Sequence, residues 1–261
     1  MSARLKPLPA KASVFNLLRS QEFGGRKECL EMLKAGAVEW ARDDGTGEAV
    51  EAEDLEWTVV TDPDTVLETE GLWLRFNGLD LPVLPGLYIL LHKPAGVECS
   101  RNPDAHDSVF DFFPEPFLKR GLNPVGRLDA DTTGLLLLTE NGLFNHAVIS
   151  PRRKLPKTYR VGLKHPLSDE QVAALEQGVV LRDDPAPTLP AIVHRLSERE
   201  ADIVITEGRY HQIKRMCAAV GNRVESIHRI AVGALELGDL SEGQWRFLSE
   251  TEIAIFDTPG E

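Results

Sequence analysis

Apolar positions along the chain change period several times, and each change marks an element. In residues 14–34, Phe15, Leu18 and Arg19 fall on one helical turn, Gly24-Gly25 breaks it, and Cys29, Leu30 and Leu33 resume the spacing up to a stop at Gly36. Two short helices are expected there, followed by a strand from Val38 to Trp40. Leu72, Leu74 and Phe76 alternate as a strand does. The paired prolines in residues 79–86 read as a linker, and Leu87 to Leu91 opens a new strand. Leu135 to Leu138 is an unbroken apolar run suited to a strand buried on both faces, and Asp131-Thr132-Thr133-Gly134 ahead of it has turn composition.

Further along, Tyr159 shares a face with Val161 and Leu163 if Lys157 to Leu163 is extended, while Thr158 and Arg160 point the other way. Ser168-Asp-Glu-Gln171 is a capping box ahead of Val172 and Leu175, with Gly178 as the stop, and Ser249-Glu-Thr-Glu252 starts a last short helix in the same way. Ala201 to Thr206 alternates as a strand. Ile213, Met216, Cys217 and Val220 fall at i, i+3, i+4 and i+7, so an amphipathic helix is expected from His211 to Val220, stopped by Gly221. On that helix Arg215 and His211 lie opposite the apolar stripe and Lys214 lies at its flank. Strands and helices mix without a βαβ rhythm. The expected class is therefore α+β: a central, largely antiparallel mixed sheet flanked by short helices, preceded by a small α/β domain. The boundaries are residues 1–80, a linker at 81–86 and a second domain at 87–261.

The formal net charge of −12 argues against a nucleic-acid partner until its distribution is considered. Eleven acids and no Lys or Arg lie between Asp43 and Glu70, a stretch that reads as an insertion near 43–70. Residues 1–42 carry eight basic residues against four acids, and residues 151–168 carry six basic residues and no acid. Local basic surfaces are thus available. Cys29, Cys99 and Cys217 have neither CxxC nor Cys/His ligand spacing, so no structural zinc or disulfide framework is expected, and a reducing cytoplasm fits. The N-terminus is broken by Pro7, Pro9 and Lys11 and lacks a signal-peptide core, and the apolar runs are too short to span a bilayer.

Three segments could carry chemistry: residues 126–142, 155–163 and 205–224. In the first, Asp129 and Asp131 precede a buried strand, where an acid sits close to a low-dielectric interior. Composition alone also lets both aspartates serve as turn caps. In the second, Tyr159 is a core-edge aromatic and equally a stacking platform for a base. In the third, Lys214 is the cation best placed to reach a half-buried carboxylate, while Arg209, Arg215 and Arg223 read as a solvated basic face. No Ser/His/Asp set, Walker loop or GxGxxG occurs. A pair of carboxylates also admits a glycosidase or nucleobase glycosylase.

Taken together, Gly126-Arg-Leu-Asp129 with Asp131-Thr-Thr-Gly134, Lys157-Thr-Tyr159, and Glu207-Gly-Arg-Tyr-His-Gln-Ile-Lys-Arg-Met216 resemble the RsuA-type ribosomal RNA pseudouridine synthases over residues 87–253. The helix, Gly-Arg-Lys, helix order near the N-terminus is similar to an S4-type RNA-binding module. The wording of the motifs is most similar to the branch acting at a 516-type uridine of 16S ribosomal RNA; a 23S target and a non-catalytic assembly factor are the alternatives. His92-Lys93-Pro94 departs from the Asn-Lys-Pro usual in the family. The resemblance implies Asp129 as the catalytic carboxylate, acting as nucleophile or as base toward a glycal. It implies Tyr159 stacked on the uracil, Lys214 paired with Asp129, and Arg127 filling the stack left by a flipped base. Arg209 and Arg215, with Arg19, Arg26, Lys27 and Lys34 on the N-terminal module, would meet RNA. Such an isomerisation calls for neither metal nor nucleotide cofactor. Ribosomal RNA, free or in a partly assembled small subunit, is the expected partner of a cytoplasmic monomer.

Overall fold

The computed structural model describes residues 7–43 and 52–257, so residues 1–6, residues 44–51 of the expected insertion and residues 258–261 lie outside the described residues. Within the described residues the chain forms two compact units, one of 7–87 with 113–122, the other of 88–112 with 123–257.

In the first unit the helices Val14–Ser20 and Arg26–Lys34 form where helical spacing placed them. Ser13 caps the first through its hydroxyl, which accepts from the Asn16 backbone N–H. The buried face is Val14, Leu17 and Leu18 rather than Phe15, which stays half-buried under the Arg26 guanidinium. Strand Val38–Arg42 lies inside an antiparallel sheet of order 58–59, 38–42, 72–76, 79–82. Two departures from expectation follow. The acidic stretch contributes structure of its own: Thr58–Val59 pairs with Glu39 and Trp40, and Val66–Glu68 pairs with Lys11–Ser13. The expected linker begins as a strand, Leu79–Pro82, with Leu81 and Val83 buried; proline is tolerated there because an edge strand leaves its N–H side unpaired. Residues 113–122 also belong to this unit, through Arg120, which donates to the Gln21 side chain and the Leu84 carbonyl.

The second unit is built on a nine-stranded sheet whose main path runs Ile192–Arg195, Glu200–Ile205, Lys157–Leu163, Val224–Val232, Thr133–Thr139, Tyr88–Lys93, Trp245–Phe247. Along that path only Thr133–Thr139 and Val224–Val232 run parallel, so the mixed, largely antiparallel sheet and the α+β class stand. Leu135, Leu136, Leu137 and Leu138 are all buried, as a strand covered on both faces requires. Helix Asp169–Gln177 carries the Ser168–Gln171 capping box and ends at Gly178, and Glu250–Ala254 is capped by Ser249. Two apolar clusters flank the sheet. Phe144, Leu90, Leu135, Leu137 and Phe256 form one; Val161, Leu163, Ile203, Met216 and Cys217 form the other. No helix among the described residues is long and apolar enough to cross a membrane.

Candidate active site

Asp129 owes its position to the strand that follows it. Residues 123–125 run back along that strand, with Asn123 and Pro124 paired to Thr139 and Leu138 and the Val125 N–H donating to the Leu137 carbonyl. Gly126, at φ +73, turns the chain so that Arg127 is exposed while Leu128 is buried. A turn then closes from the Thr132 N–H to the Asp129 carbonyl at 3.0 Å. The turn therefore spans 129–132, and Thr133 and Gly134, expected in it, already belong to the strand.

Beneath this turn lies a group that sequence reasoning missed. Lys93 is fully buried, and its ammonium donates to the carbonyls of Pro94 at 2.7 Å, Thr132 at 2.9 Å and Ala130 at 3.2 Å. All three ammonium protons are used on backbone, two of them on the turn that carries Asp129. At the sequence level Lys93 looks like the polar end of a strand. Burial pushes its pKa below 10.5, although neighbouring Cys99, Asp131 and Asp129 oppose the shift. The folded protein therefore gives up this proton at lower pH than the unfolded chain, and Lys93 makes stability rise with pH between its folded pKa and 10.5. Lys93→Met should lose about 3 kcal/mol at neutral pH, because three buried carbonyls lose their donor, and should also lose that rise. Urea-unfolding midpoints across the window would show it, and parallel curves for the two proteins would sink the argument.

Helix Gln212–Ala219 supplies the other side of the site. Ile213, Met216 and Cys217 are buried as the periodicity requires, and burial among apolar neighbours pushes the Cys217 thiol up to about 12. Lys214, on the flank, reaches both aspartates: Nζ lies 3.4 Å from Asp129 Oδ2, and 2.6 and 2.8 Å from the two oxygens of Asp131. The expected pair with Asp129 is thus a shared one in which Asp131 holds the shorter bonds. Burial opposes the charge of Asp131, but the Lys214 bond and charge outweigh it and hold this carboxyl below its usual range. Burial likewise opposes the charge of Lys214, yet Asp131 and Asp129 together raise its pKa. Asp131 is 70% exposed, whereas Asp129 is 32% exposed and lines the cavity. That difference separates two carboxylates which composition left equivalent.

His211 corrects the helical reading. The helix begins at Gln212, and His211 precedes it in the left-handed conformation at φ +47, which brings Nε2 to 3.3 Å from Asp129 Oδ1 instead of opposite the apolar stripe. Tyr210, 72% exposed, stacks on its ring at 3.8 Å. No helical periodicity could reveal a left-handed residue at the cap.

The cavity beside Asp129 is about 440 Å³, within the range of small-ligand sites, about 300–1,000 Å³. Tyr159 stands on its wall with Lys157 and Arg229, and Arg127 at its edge also borders a second, shallower groove. The structure therefore brings Asp129, Tyr159, Lys214 and Arg127 together. Arg209 lines the cavity too, but its guanidinium is spent on Asp184, Glu207 and the carbonyls of Ala186 and Pro187. It braces its own loop, which leaves little of it for phosphate and corrects its place in the basic face. Arg215 is half-buried and donates to the Tyr210 carbonyl. Arg19, Arg26, Lys27 and Lys34 are exposed in the other unit, with Arg19 bonded to the Gly24 carbonyl and Lys27 facing Glu31. Among the described residues no group of three or more His, Cys, Asp or Glu is placed to hold a metal ion.

Lys214→Ala should lower the turnover rate about 10²-fold, because two carboxylates then share one corner without a cation. Asp131→Asn should cost less than about tenfold, since Lys214 is then free to serve Asp129 alone. The reverse ranking in single-turnover assays would move the catalytic role to Asp131.

Comparison with known proteins bears on this geometry. Residues 87–219 match the RNA pseudouridylate synthase family. A ribosomal small subunit pseudouridine synthase A of Pasteurella multocida is 43% identical over 194 residues, covering 74% of this chain and 82% of that protein. The protein of the same name from Yersinia pestis is 40% identical over 223 residues, covering 82% and 94%. A crystal structure of a pseudouridylate synthase, 32% identical, superposes with a TM-score of 0.63 over 94% of this chain and 99% of that one.

Proposed function

The chain belongs to the RNA pseudouridylate synthase family and is an isomerase of that class, and from that premise we propose that it converts one uridine of 16S ribosomal RNA, at a 516-type position, to pseudouridine. The observation that carries the reading is Asp129, a carboxylate held on the wall of a nucleoside-sized cavity with Tyr159 beside it and Lys214 and His211 on its oxygens.

The reaction breaks the N1–C1′ bond of a uridine, turns the base and rejoins it through C5. A uridine in folded RNA must first leave its stack, at a cost of a few kcal/mol, and Arg127, exposed at the cavity edge, fills the gap. Asp129 then meets the electron deficiency at C1′, either by bonding to it or by taking the 2′ proton to give a glycal. Lys214 and His211 orient the carboxylate, and Tyr159 stacks on the detached uracil, keeping it in place while C5 comes round. Arg215 and the N-terminal basic residues Arg19, Arg26, Lys27 and Lys34 dock the RNA, with the N-terminal unit acting as an S4-like module. The enzyme works as a cytoplasmic monomer on free ribosomal RNA or a partly assembled small subunit. The names and coverage of the relatives favour the small-subunit target over 23S.

Mapping pseudouridine in ribosomal RNA from cells with and without the protein tests this. One site missing from 16S is the expected result; a missing site in 23S would redirect the substrate, and an unchanged map would overturn the proposal. Release of tritium from 5-tritiated uridine in ribosomal RNA would separate the enzyme from a binding-only assembly factor, and release of free uracil would point to a glycosylase instead.

A further inference from the structure

Two cations on the cavity wall have no part in the chemistry described so far. Arg229 is only 4% exposed. It sits directly opposite Tyr159 on the neighbouring antiparallel strand, so the two side chains leave the same face of the sheet. Among the described residues its side chain makes one hydrogen bond to protein, from Nε to the Leu135 carbonyl at 2.7 Å, and forms no ion pair. Lys157, two residues before Tyr159, lines the same cavity and reaches only the Leu155 carbonyl, at 3.3 Å. Burial, and after it the charge of Arg229, lowers the Lys157 pKa, so the two groups sense one another.

A buried cation without a counter-ion is costly. The carboxylates on this cavity wall are engaged elsewhere: Asp129 faces Lys214 and His211, and Glu207 faces Arg209 and Gln212. The negative charge that complements Arg229 and Lys157 has to come from the substrate. A backbone phosphate is a poor candidate, because a phosphodiester tied to its neighbours on both sides does not reach a guanidinium this deeply buried, whereas a flipped base does.

We propose that Arg229, assisted by Lys157, stabilises the negative charge that the uracil carries when its N1–C1′ bond breaks. This deepens the reading above and rests on it. The bonding pair leaves with N1 and is delocalised onto the carbonyl oxygens, chiefly O2, while C1′ is met by Asp129 as nucleophile or through the glycal. C5 then bonds to C1′ as the Asp129–C1′ bond breaks or, from the glycal, as Asp129 returns the proton to C2′; the C5 proton is lost and N1 is protonated, so Asp129 is regenerated and the net change is isomerisation. Arg229 contributes charge and hydrogen bonds and serves as neither acid nor base in these steps. Its bonds strengthen only as charge develops, so it acts on turnover rather than on RNA binding.

The test compares single-turnover rates of the wild type, Arg229→Gln and Arg229→Lys on 16S and 23S transcripts made with uridine or with 5-fluorouridine. Fluorine makes the uracil a better leaving group; since it also blocks the last proton loss, the rearranged C-nucleoside is scored by nuclease digestion and mass spectrometry. Arg229→Gln should slow the uridine reaction about 10²-fold, with RNA affinity within about threefold. The loss should shrink at least tenfold on 5-fluorouridine RNA, and Arg229→Lys should recover part of it. Equal losses on both RNAs, or a loss confined to RNA affinity and its salt dependence, would overturn the proposal; the second result would identify a phosphate clamp. If Arg229→Gln does not fold, Lys157→Gln carries the same comparison, with a smaller expected loss and the same deciding outcomes. A wild type inert on both transcripts, whether bare or assembled with ribosomal proteins, would overturn the functional reading and this proposal together, whereas an active wild type with equal losses overturns this proposal alone.

Discussion

Asp129→Asn should abolish turnover, by about 10⁴-fold or more, while leaving RNA affinity within about threefold of wild type and stability nearly unchanged. The substitution keeps the size and shape of a side chain that is about one-third exposed, so little packing is disturbed. What disappears is the negative charge, and with it the ability to bond to C1′ or to take a proton. The turn that carries the residue is untouched, because Lys93 and the Thr132 N–H bind backbone carbonyls and not the side chain. Lys214 keeps its shorter bonds to Asp131. The measurement is tritium release from 5-tritiated uridine in ribosomal RNA beside a filter-binding titration of the same RNA. An Asn variant within a hundredfold of wild type would remove Asp129 from the centre of the reaction.

The elements were legible in the sequence wherever one periodicity acted alone. The buried strand Thr133–Thr139, the capped helix Asp169–Gln177 and the stripe of Ile213, Met216 and Cys217 each follow from local spacing, which is all a periodicity can report. That Asp129, Tyr159 and Lys214 would lie close together was legible because they sit at the ends or flanks of such elements and because three motifs occur in order. What escaped depends on contacts distant in sequence or on a rare backbone state. Lys93 acts on carbonyls 37 and 39 residues away, and nothing local separates it from any lysine that ends a strand. His211 enters the site through a left-handed φ, and Arg209 leaves the basic face because strand Asp184–Pro187 offers it acceptors. The acidic stretch illustrates the same limit. Its charge pattern reads as an insertion, yet Leu67 is buried and Glu68 is held by Arg42 and Lys11, so charge composition there hides strand pairing.

Gly134→Ala should be the most damaging small substitution in the catalytic unit. Gly134 lies at φ +102, a conformation L side chains rarely adopt, and a methyl group there would stand 2.3 Å from the Arg229 carbonyl oxygen and 2.7 Å from the Arg229 nitrogen. Both atoms are backbone and belong to the strand that pairs in parallel with Thr133 and Gly134, so no side-chain rotation relieves the clash. The two strands have to part where the sheet holds the start of strand Thr133–Thr139 against Arg229. That displacement also strains the 2.8 Å contact between Thr133 and His228 and the bond from Arg229 Nε to Leu135. The expected cost is about 4 kcal/mol or more, against a total stability of roughly 5–15 kcal/mol for a domain. Activity would then be lost by unfolding, the opposite signature to Asp129→Asn, which stays folded and inert. Gly142→Ala is the control: it starts a helix, and no atom lies within 4 Å of an added methyl, so its stability should stay within about 0.5 kcal/mol of wild type. Thermal and urea unfolding of both variants decides the matter, and a Gly134→Ala protein within 1 kcal/mol of wild type would mean that the two strands pass one another with room the structure does not show.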